Sequence, residues 1–361
     1  MHAWHAVRRG HEVVHLEREE QARGASVRNF GLVWVGGRSE GPELDTALRA
    51  RELWGEIAEQ VPGVGFRPSG SLTVLRTEAE HAVAAEVVAR PDAAVRGWEL
   101  LDPAGTRRAN PALRGDDLLG ALWSPHDAQV EPRVTQRALQ AHLRASGRYT
   151  YLGGREVREV VGEHAVRDDR GELHSGDAVV LCTGAWLGGL VRELAPAVPV
   201  RRVRLQMMQT EPLGEQLTTS VADGDSFRYY PAYAGGALDA LNAGQPQHET
   251  AAAHRMQLLM VQRADGTLTV GDTHEYDQPF GFDVDEEPYA YLAQLAEKLL
   301  GRPLPPVRRR WAGVYAQCTD PALVVHRERL RAGVWLVTGP GGRGMTCSPA
   351  IGEATANELE W

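Results

Sequence analysis

The segment that most constrains the fold lies close to the start of the chain. Ala3–Arg9 has the pattern of a short helix stopped by Gly10, and Val13–Val14 begins a strand that ends in the acid Glu17. Helix, glycine, strand and acid in this order form the second half of a dinucleotide-binding βαβ unit. The acid of such a unit accepts hydrogen bonds from ribose hydroxyls. The segment therefore predicts an α/β fold with a nucleotide site.

The glycine-rich turn that cradles phosphates in such a unit lies about 20 residues before the acid. Counting back from Glu17 by that distance passes Met1, so the sequence contains no such turn. Two explanations stay open: the recorded start lies inside the gene, which we favour, or the chain has lost the turn. Glu17 alone is also compatible with an ordinary polar residue after a strand.

Composition argues against several classes of function. The 361 residues carry a formal net charge of −9, which disfavours general binding to nucleic acid or to a membrane surface. Cys182, Cys318 and Cys347 are scattered and odd in number, so we expect neither a disulfide framework nor a metal site. No apolar run approaches the roughly 18 residues of a membrane helix. We therefore expect a cytoplasmic protein of two domains or one elaborate domain.

Two apolar strands run into turns that contain glycine. Ala178–Cys182 is almost wholly apolar, as a strand covered on both faces requires, and it breaks at Thr183–Gly184. Val334–Thr338 is the last strand, and it enters the turn Gly339–Gly344 before a closing helix from Ala350 to Leu359. Strand, glycine turn and helix at the end of the chain are compatible with a ligand site or with a tight turn that binds nothing.

Other stretches complete the coarse organisation. Small residues after the first strand allow close backbone approach to a ligand, and Ser26, Arg28 and Asn29 add donors there. We expect turns over 100–115 and a mobile surface loop over 235–254, which is rich in alanine, glycine and glutamine.

The order of these elements resembles the FAD-dependent D-amino acid oxidase superfamily, which includes glycine oxidase and sarcosine oxidase. The resemblance covers nearly all of the chain except the absent first strand and glycine loop. Four stretches look similar to a bacterial clade proposed for phosphonate catabolism: Ser26–Gly31, Trp123–Asp127, Gly271–Tyr276 and Trp311–Pro321.

The resemblance implies a mixed α/β flavoprotein of two domains. A Rossmann-like FAD domain, truncated at its first strand, would comprise residues 1–41, 126–198 and 320–361. A substrate domain built on an antiparallel sheet would comprise residues 42–125 and 199–319. The implied reaction is oxidation of a primary or secondary amine to an imine that hydrolyses.

The resemblance also implies the residues that bind FAD. Glu17 would bind the adenosine ribose, with Arg18 next to it, and Val157 would meet adenine through its backbone. The remaining residues would follow the cofactor from its diphosphate to its ring: Ser26, Arg28, Asn29, Thr183, Gly184, Trp186, Gly341, Gly342, Gly344, Met345 and Thr346. Reduced flavin carries negative charge at its pyrimidine edge, which backbone N–H groups and a helix N-terminus stabilise.

The substrate side is expected to contain the catalytic residues His274, Tyr315, Arg228 and Tyr230. An amino acid or an aminophosphonate, such as N-methylated 2-aminoethylphosphonate, has an anionic group that arginine binds best. Arg228 or one of Arg308–Arg310 is the expected anchor, although the latter are also compatible with a solvated strand. His274 would bind phosphonate or keep the amine neutral, and Tyr315 would line the flavin face. Tyr229 and Tyr230 are equally compatible with the core.

Three departures from the family shape further expectations. Without the first strand, we expect the chain to bind FAD weakly or not at all. Gly313 stands where some relatives attach flavin to a cysteine, so we expect non-covalent FAD. Thr269 stands where sarcosine oxidases have an oxygen-activating lysine, so O2 or another electron acceptor stays open. The alternatives are a D-amino acid, glycine or sarcosine-type oxidase acting on carboxylates, and a truncated paralogue without catalysis.

Overall fold

A computed structural model of the chain describes residues 1–276 and 278–361. The strands are β1 (Val13–Glu17), β2 (Leu32–Val33), β3 (Ser71–Leu75), β4 (Glu99–Leu101), β5 (Gly120–Ser124), β6 (Ala128–Gln129), β7 (Tyr149–Gly153), β8 (Val157–Val161), β9 (Ala165–Asp168), β10 (Leu173–Ser175), β11 (Val179–Leu181), β12 (Val200–Pro212), β13 (Ser220–Ala222), β14 (Leu259–Gln262), β15 (Thr267–Gly271), β16 (Val307–Cys318), β17 (His326–Arg331) and β18 (Val334–Thr338). The α-helices are α1 (His2–Arg8), α2 (Pro42–Gln60), α3 (Glu78–Val88), α4 (Ala93–Arg96), α5 (Pro103–Ala109), α6 (Pro132–Ala145), α7 (Leu190–Leu194), α8 (Ser226–Tyr229), α9 (Gly236–Gly244), α10 (Glu249–Ala253), α11 (Glu286–Leu300) and α12 (Gly344–Glu358).

The largest sheet has eight strands in the order β16–β12–β15–β14–β13–β3–β5–β4. Its pairs are antiparallel except β13 and β3, which run parallel, so the sheet is mixed and not wholly antiparallel as predicted. Side chains alternate across the sheet, so Met207 and Met208 of β12 enter different hydrophobic cores. Leu292 and Leu299 of α11 pack on the Met208 face. The Met207 face borders the cavity described below.

The nucleotide-binding half consists of smaller sheets. The predicted opening motif is confirmed: α1 is followed by Gly10 at a φ of +94°, and β1 ends at Glu17. Strand β1 pairs in parallel with β7, and β18 pairs in parallel with β11 and antiparallel with β17. Strands β8, β9 and β10 form the expected antiparallel meander. The mixed α/β class therefore follows from two different kinds of sheet.

Helix α12 begins at Gly344, earlier than the predicted start at Ala350. Pro349 lies inside the helix and cannot donate a backbone hydrogen bond to the carbonyl of Met345. The side chain of Trp54 donates to that carbonyl instead, at 3.1 Å. A partner from α2 thus compensates for the proline. The sequence-based division assigns α2 and α12 to different domains, and that division remains a prediction.

Two segments expected to lack regular structure contain helices. Residues 235–254 form α9 and α10. Leu238 and Leu241 of α9 are buried and belong to the main core. Glu86 of α3 accepts a hydrogen bond from the Ala237 N–H at 2.6 Å. Within 100–115, Asp102 caps the start of α5 by accepting from the Gly105 N–H. Helix α9 depends on tertiary contacts and helix α5 on a cap, and composition alone revealed neither. Within the described ranges, no helix combines the length and apolar character needed to cross a bilayer.

Candidate active site

A cavity of about 610 Å³ lies between the Met207 face of the large sheet, the segment before β2 and the start of α12. Its volume falls within the range of about 300–1,000 Å³ that ligand pockets occupy. The predicted residues that line it are Ser26, Arg28, Asn29, Gly184, Tyr230, His274, Tyr315, Gly341, Gly342, Gly344 and Met345. Segments from the beginning, middle and end of the chain therefore meet around one space.

The turn between β18 and α12 forms one end of this cavity. Gly341 has a φ of +65°, a conformation that glycine adopts at least cost. A side chain on Gly342 would begin 3.7 Å from the Tyr315 hydroxyl and 3.9 Å from the Tyr229 hydroxyl. Because Gly344 and Met345 line the cavity at the first turn of α12, the positive end of the helix dipole lies there. This wall suits a ligand edge that carries negative charge.

Thr346 is not among the residues that line the cavity. Its hydroxyl accepts from the Trp34 N–H at 2.9 Å and contacts the Leu32 carbonyl at 3.3 Å. The side chain is 1% exposed, so Thr346 links β2 to α12 through buried hydrogen bonds.

A buried ion-pair network behind the turn was missed by the sequence analysis. Glu43 lies 3.6 Å from a nitrogen of Arg38 and 3.1 Å from a nitrogen of Arg343, and we call these residues the Arg–Glu–Arg triad. Burial raises the pKa of Glu43, but the two guanidinium groups outweigh it, and the pKa falls below its ordinary value. The triad joins the first turn of α2 to the glycine turn. No local spacing could have revealed it.

The segment before β2 supplies another wall. Asn29 satisfies its own loop, since its amide donates to the Ala25 carbonyl and accepts from the Gly31 N–H, both at 2.7 Å. Arg28 donates to the carbonyls of Arg23 and Ala312, each at 2.8 Å. These bonds hold the Arg28 guanidinium at the mouth of the cavity.

Several predicted cofactor residues lie outside the lining of this cavity. The Glu17 carboxylate accepts from the Glu19 N–H at 3.1 Å, and Val157 opens β8. Arg18 lies 4.4 Å above the ring of Trp186, so the structure brings these two predicted residues together. The Thr183 hydroxyl is buried without a hydrogen-bond partner in the described part of the chain. Contact of these residues with FAD remains a prediction.

The side of the cavity towards the large sheet is rich in tyrosine and contains His274. The rings of His274 and Tyr229 stack with centroids 4.4 Å apart, and Tyr230 stacks on Trp34 at 5.5 Å. Burial raises the pKa of Tyr229, Tyr230 and Tyr315, so their hydroxyls stay protonated at neutral pH. The structure thus places three of the four predicted catalytic residues on one side of the cavity, and Tyr229 joins them.

Asp272 is the acidic residue of this side. It follows β15, is 6% exposed and lines the cavity, and its Oδ1 atom has no hydrogen-bond partner in the described structure. Burial raises its pKa to about 6, an effect that nearby His274 partly offsets. The sequence analysis missed Asp272, although an acid directly after an apolar strand is a signal that could have indicated it.

The predicted arginine anchor lies elsewhere. Arg228 does not line the cavity, and its guanidinium binds Asp225 at 2.9 Å as well as Asn242 and the Gln245 carbonyl. Arg310 pairs with Glu286 at 3.0 Å, and Arg308 lies near two carboxylates on the surface. None of these side chains reaches the described lining of the cavity.

A different group of arginines lies beside the mouth of the cavity. Arg133 at the start of α6 stacks 5.0 Å above Trp311, and burial together with the charges of Arg309 and Arg28 lowers its pKa. Within the described residues, none of the three arginines forms an ion pair with a carboxylate. We call Arg28, Arg133 and Arg309 the arginine rim. It is a concentration of positive charge that the protein does not neutralise itself.

These walls fit the flavin that the resemblance implies. The glycine turn admits a planar ring without side-chain obstruction, the start of α12 favours its electron-rich edge, and Gly184 and Ser26 line the same space. On the sheet side of the cavity, Asp272 and Gln257 carry buried polar atoms that lack partners in the described chain, and a substrate would bind there. The residues present would therefore hold FAD along the turn and leave the sheet side to the substrate.

Comparison with known proteins gives relatives with related chemistry. The bifunctional protein ThiO/ThiG of Synechocystis sp. is 29% identical over 73% of this chain and 33% of its own length. Human mitochondrial sarcosine dehydrogenase is 26% identical over 59% of the chain and 24% of its own length. The matched region thus spans a third or less of these relatives. The glycine oxidase structure from Bacillus cereus has a TM-score of 0.78 at 18% identity, covering 99% of this chain and 93% of that chain.

Residues 1–358 match the family described as FAD dependent oxidoreductase, known as the DAO family. This match covers nearly the whole chain and agrees with the walls of the cavity. The chain belongs to the DAO family of FAD dependent oxidoreductases.

Proposed function

We propose that the protein oxidises a primary or secondary amine that also carries an anionic group, giving an imine that water hydrolyses. The substrate class is an amino acid or an aminophosphonate such as N-methylated 2-aminoethylphosphonate. FAD, once bound, supplies the acceptor for the two electrons of the C–H bond. Either O2 or another acceptor reoxidises it.

The observation that carries this proposal is the layout of one cavity with two different ends. The glycine turn and the start of α12 form the end for the flavin, and His274, Asp272 and the tyrosines form the other. Leu205, Met207 and Leu259 add apolar surface between β12 and β14, which excludes water from the reacting centre. The chain's own residues orient the amine and keep it dry.

The arginine rim supports an anionic group on the substrate. Arg28 lines the cavity, and Arg133 and Arg309 add charge beside it without a carboxylate partner in the described chain. A phosphonate or carboxylate would gain charge-assisted hydrogen bonds from such a rim and would be steered towards it. This role replaces the one predicted for Arg228.

Carboxylate substrates are the second candidate. The names of relatives favour them, since sarcosine dehydrogenase and D-amino acid dehydrogenase are among the matching proteins. The rim itself does not discriminate a carboxylate from a phosphonate, because arginine binds both in a bidentate manner.

The test is an amine panel with the FAD-loaded protein under anaerobic conditions. Glycine, sarcosine, D-alanine, 2-aminoethylphosphonate and its N-methyl derivative are mixed with the protein, and loss of flavin absorbance is followed. We expect at least one amine that carries an anionic group to bleach the flavin, and bleaching by an aminophosphonate at lower concentration than by its carboxylate counterpart would favour a phosphonate substrate. Preference for the carboxylates would select the second candidate, and no bleaching by any amine would refute the proposal.

FAD is expected to be held without a covalent bond. Cys318 is 3% exposed and lies beside Gly339, where a side chain on the glycine would come within 3.0 Å of its sulfur. It is not among the residues that line the cavity. Acid precipitation should therefore leave all flavin colour in the supernatant, whereas colour in the pellet would contradict the assignment.

A further inference from the structure

Two buried hydrogen-bond acceptors on the sheet side of the cavity have no donor in the described part of the chain. Asp272 Oδ1 and Gln257 Oε1 are buried and lack partners in the described chain, and both residues line the cavity. They come from neighbouring segments, because the Asp272 N–H donates to the Gln257 carbonyl at 3.1 Å. Leaving such atoms unpaired costs roughly 1–3 kcal/mol each. These buried acceptors are therefore available to a ligand that donates hydrogen bonds.

His274 provides the third acceptor. Its Nδ1 lies 3.0 Å from the Arg255 carbonyl, and since a carbonyl only accepts, Nδ1 carries the proton. In the neutral ring Nε2 then presents a lone pair, and it lies 3.8 Å from Asp272 Oδ2. Asp272, Gln257 and His274 form what we call the acceptor cluster.

The charge around the cluster points to a cation. Apart from His274, no basic side chain pairs with Asp272 within 4.0 Å in the described structure. The other titratable groups facing Asp272 are the phenols of Tyr229, Tyr230, Tyr276 and Tyr315, which burial keeps neutral. His274 can offset the burial of Asp272 only when its ring is protonated, so beside the neutral ring this carboxylate is stabilised by a ligand that brings both positive charge and N–H donors.

We propose that the acceptor cluster binds the substrate as an ammonium ion and that Asp272 removes one of its protons before oxidation. This inference rests on the proposed function. One N–H bond of the ammonium breaks, its electron pair stays on nitrogen, and the proton moves to Asp272 Oδ1, leaving a neutral amine and a carboxylic acid. The amine lone pair is then free to support departure of the two C–H electrons to FAD. The anionic end of the substrate extends towards Arg28.

Two properties of Asp272 suit it to this transfer. Its raised pKa makes it a stronger base than an exposed aspartate, and the dry cavity lowers the pKa of a bound ammonium. Phe30, which follows Arg28 and Asn29, would meet a side chain on Gly271 at 3.1 Å, so the arginine rim and the acceptor cluster adjoin each other.

The test compares an amine with its hydroxyl analogue on the FAD-loaded protein. The probes are 2-aminoethylphosphonate with 2-hydroxyethylphosphonate, and glycine with glycolate; binding is measured anaerobically by titration calorimetry. For Asp272→Asn we expect amine affinity to fall about tenfold to a hundredfold, with hydroxyl-analogue affinity changed less than about twofold. Gln257→Leu should give a smaller loss of the same kind. Asp117→Asn is the matched control, because Asp117 pairs with Lys298 on the surface at 3.0 Å and should leave both probes unaffected.

The pH profile of flavin reduction gives the second readout. Wild type should show a bell, limited at low pH by protonation of Asp272 near pH 6 and at high pH by loss of the ammonium form. Asp272→Asn should instead require free amine, so its rate should rise steadily with pH. Asp272→Glu, which keeps the carboxylate, should restore the bell and serves if the asparagine variant fails to fold.

The outcomes separate the two proposals. If wild type oxidises an amine but Asp272→Asn and Gln257→Leu weaken binding of both probes equally, or Asp272→Asn keeps the bell-shaped pH profile, the acceptor cluster is wrong and the proposed function stands. If wild type neither binds nor oxidises any amine, the proposed function fails and the inference fails with it.

Discussion

The two ends of the cavity differ in how their charged groups are satisfied. Behind the glycine turn, Glu43 is bonded by Arg38 and Arg343, and every member of the triad has a partner. On the sheet side, Asp272 and Gln257 have buried oxygen atoms without one. Completed networks hold a backbone in place, whereas incomplete ones are completed by a ligand. The difference marks the triad as scaffold and the acceptor cluster as binding site.

The largest expected effect tests the scaffold. Glu43→Gln would leave Arg38 and Arg343 buried without a counter-charge, and we expect the free energy of unfolding to fall by about 3–5 kcal/mol. Urea denaturation followed by tryptophan fluorescence measures it. A matched control is Glu353→Gln, which breaks a partly exposed pair with Arg49 at 2.7 Å and should cost less than about 1 kcal/mol. Equal losses in both variants would remove the distinction between triad and surface pair.

The opposite sign is expected on the sheet side. The pKa of Asp272 is raised to about 6 in the folded protein from an ordinary value of 3.8, so ionising it costs stability above that pKa. Asp272→Asn should therefore stabilise the FAD-free protein at pH 7.5 by up to about 3 kcal/mol.

This gain should shrink as pH falls from about 6 to about 4, because below the unfolded pKa both states bind the proton. Denaturation curves at several pH values test the sign. A variant less stable than wild type at pH 7.5 would show that Asp272 has stabilising partners in the folded protein. The difference drawn between the triad and the acceptor cluster would then be wrong.

An intermediate effect on stability is expected for the hydrogen bond that links β2 to α12. Thr346→Val keeps the shape of the side chain but leaves the Trp34 N–H without its acceptor, and we expect a loss of about 1–2 kcal/mol. The half-buried Thr46→Val on α2 is the control, with an expected loss of a few tenths of a kcal/mol. Similar values for both would mean that β2 is held mainly by packing.

The smallest effect on stability tests the arginine rim. Arg133→Gln removes one of three mutually repelling charges, so the free energy of unfolding should change by less than about 0.5 kcal/mol. The kcat/KM for an anionic amine should nevertheless fall several-fold at low salt, and its dependence on ionic strength should weaken. Arg329→Gln, on exposed strand β17, should alter neither quantity. A normal salt dependence in Arg133→Gln would exclude steering by the rim.

Local features of the sequence predicted much of the fold. The helix, glycine and strand that lead to Glu17 rest on neighbours along the chain and are confirmed. Helix α9, within 235–254, was missed because buried leucines and a hydrogen bond accepted by Glu86 stabilise it. These contacts form only when the chain is folded.

The residues of the candidate site also divide into those that the sequence predicted and those that only the folded chain brings into place. The glycine turn at 341–344 and His274 were predicted from motifs, and both line the cavity. Arg228 was expected as an anchor because two tyrosines follow it, yet Asp225 occupies its guanidinium. Gln257 and Arg343 acquire their positions only from strand pairing and from the contact of α2 with the glycine turn. Sequence spacing carries no information about such long-range partners.

The contact between the first and last helices has a consequence for synthesis. His5 bonds to the Pro349 carbonyl at 2.9 Å, and Arg9 to the Trp361 carbonyl at 2.7 Å. Since a chain leaves the ribosome amino end first, α1 must wait for almost the entire polypeptide before its partner exists. Because residues of α12 also line the cofactor cavity, the cavity is completed only after α12 has been synthesised.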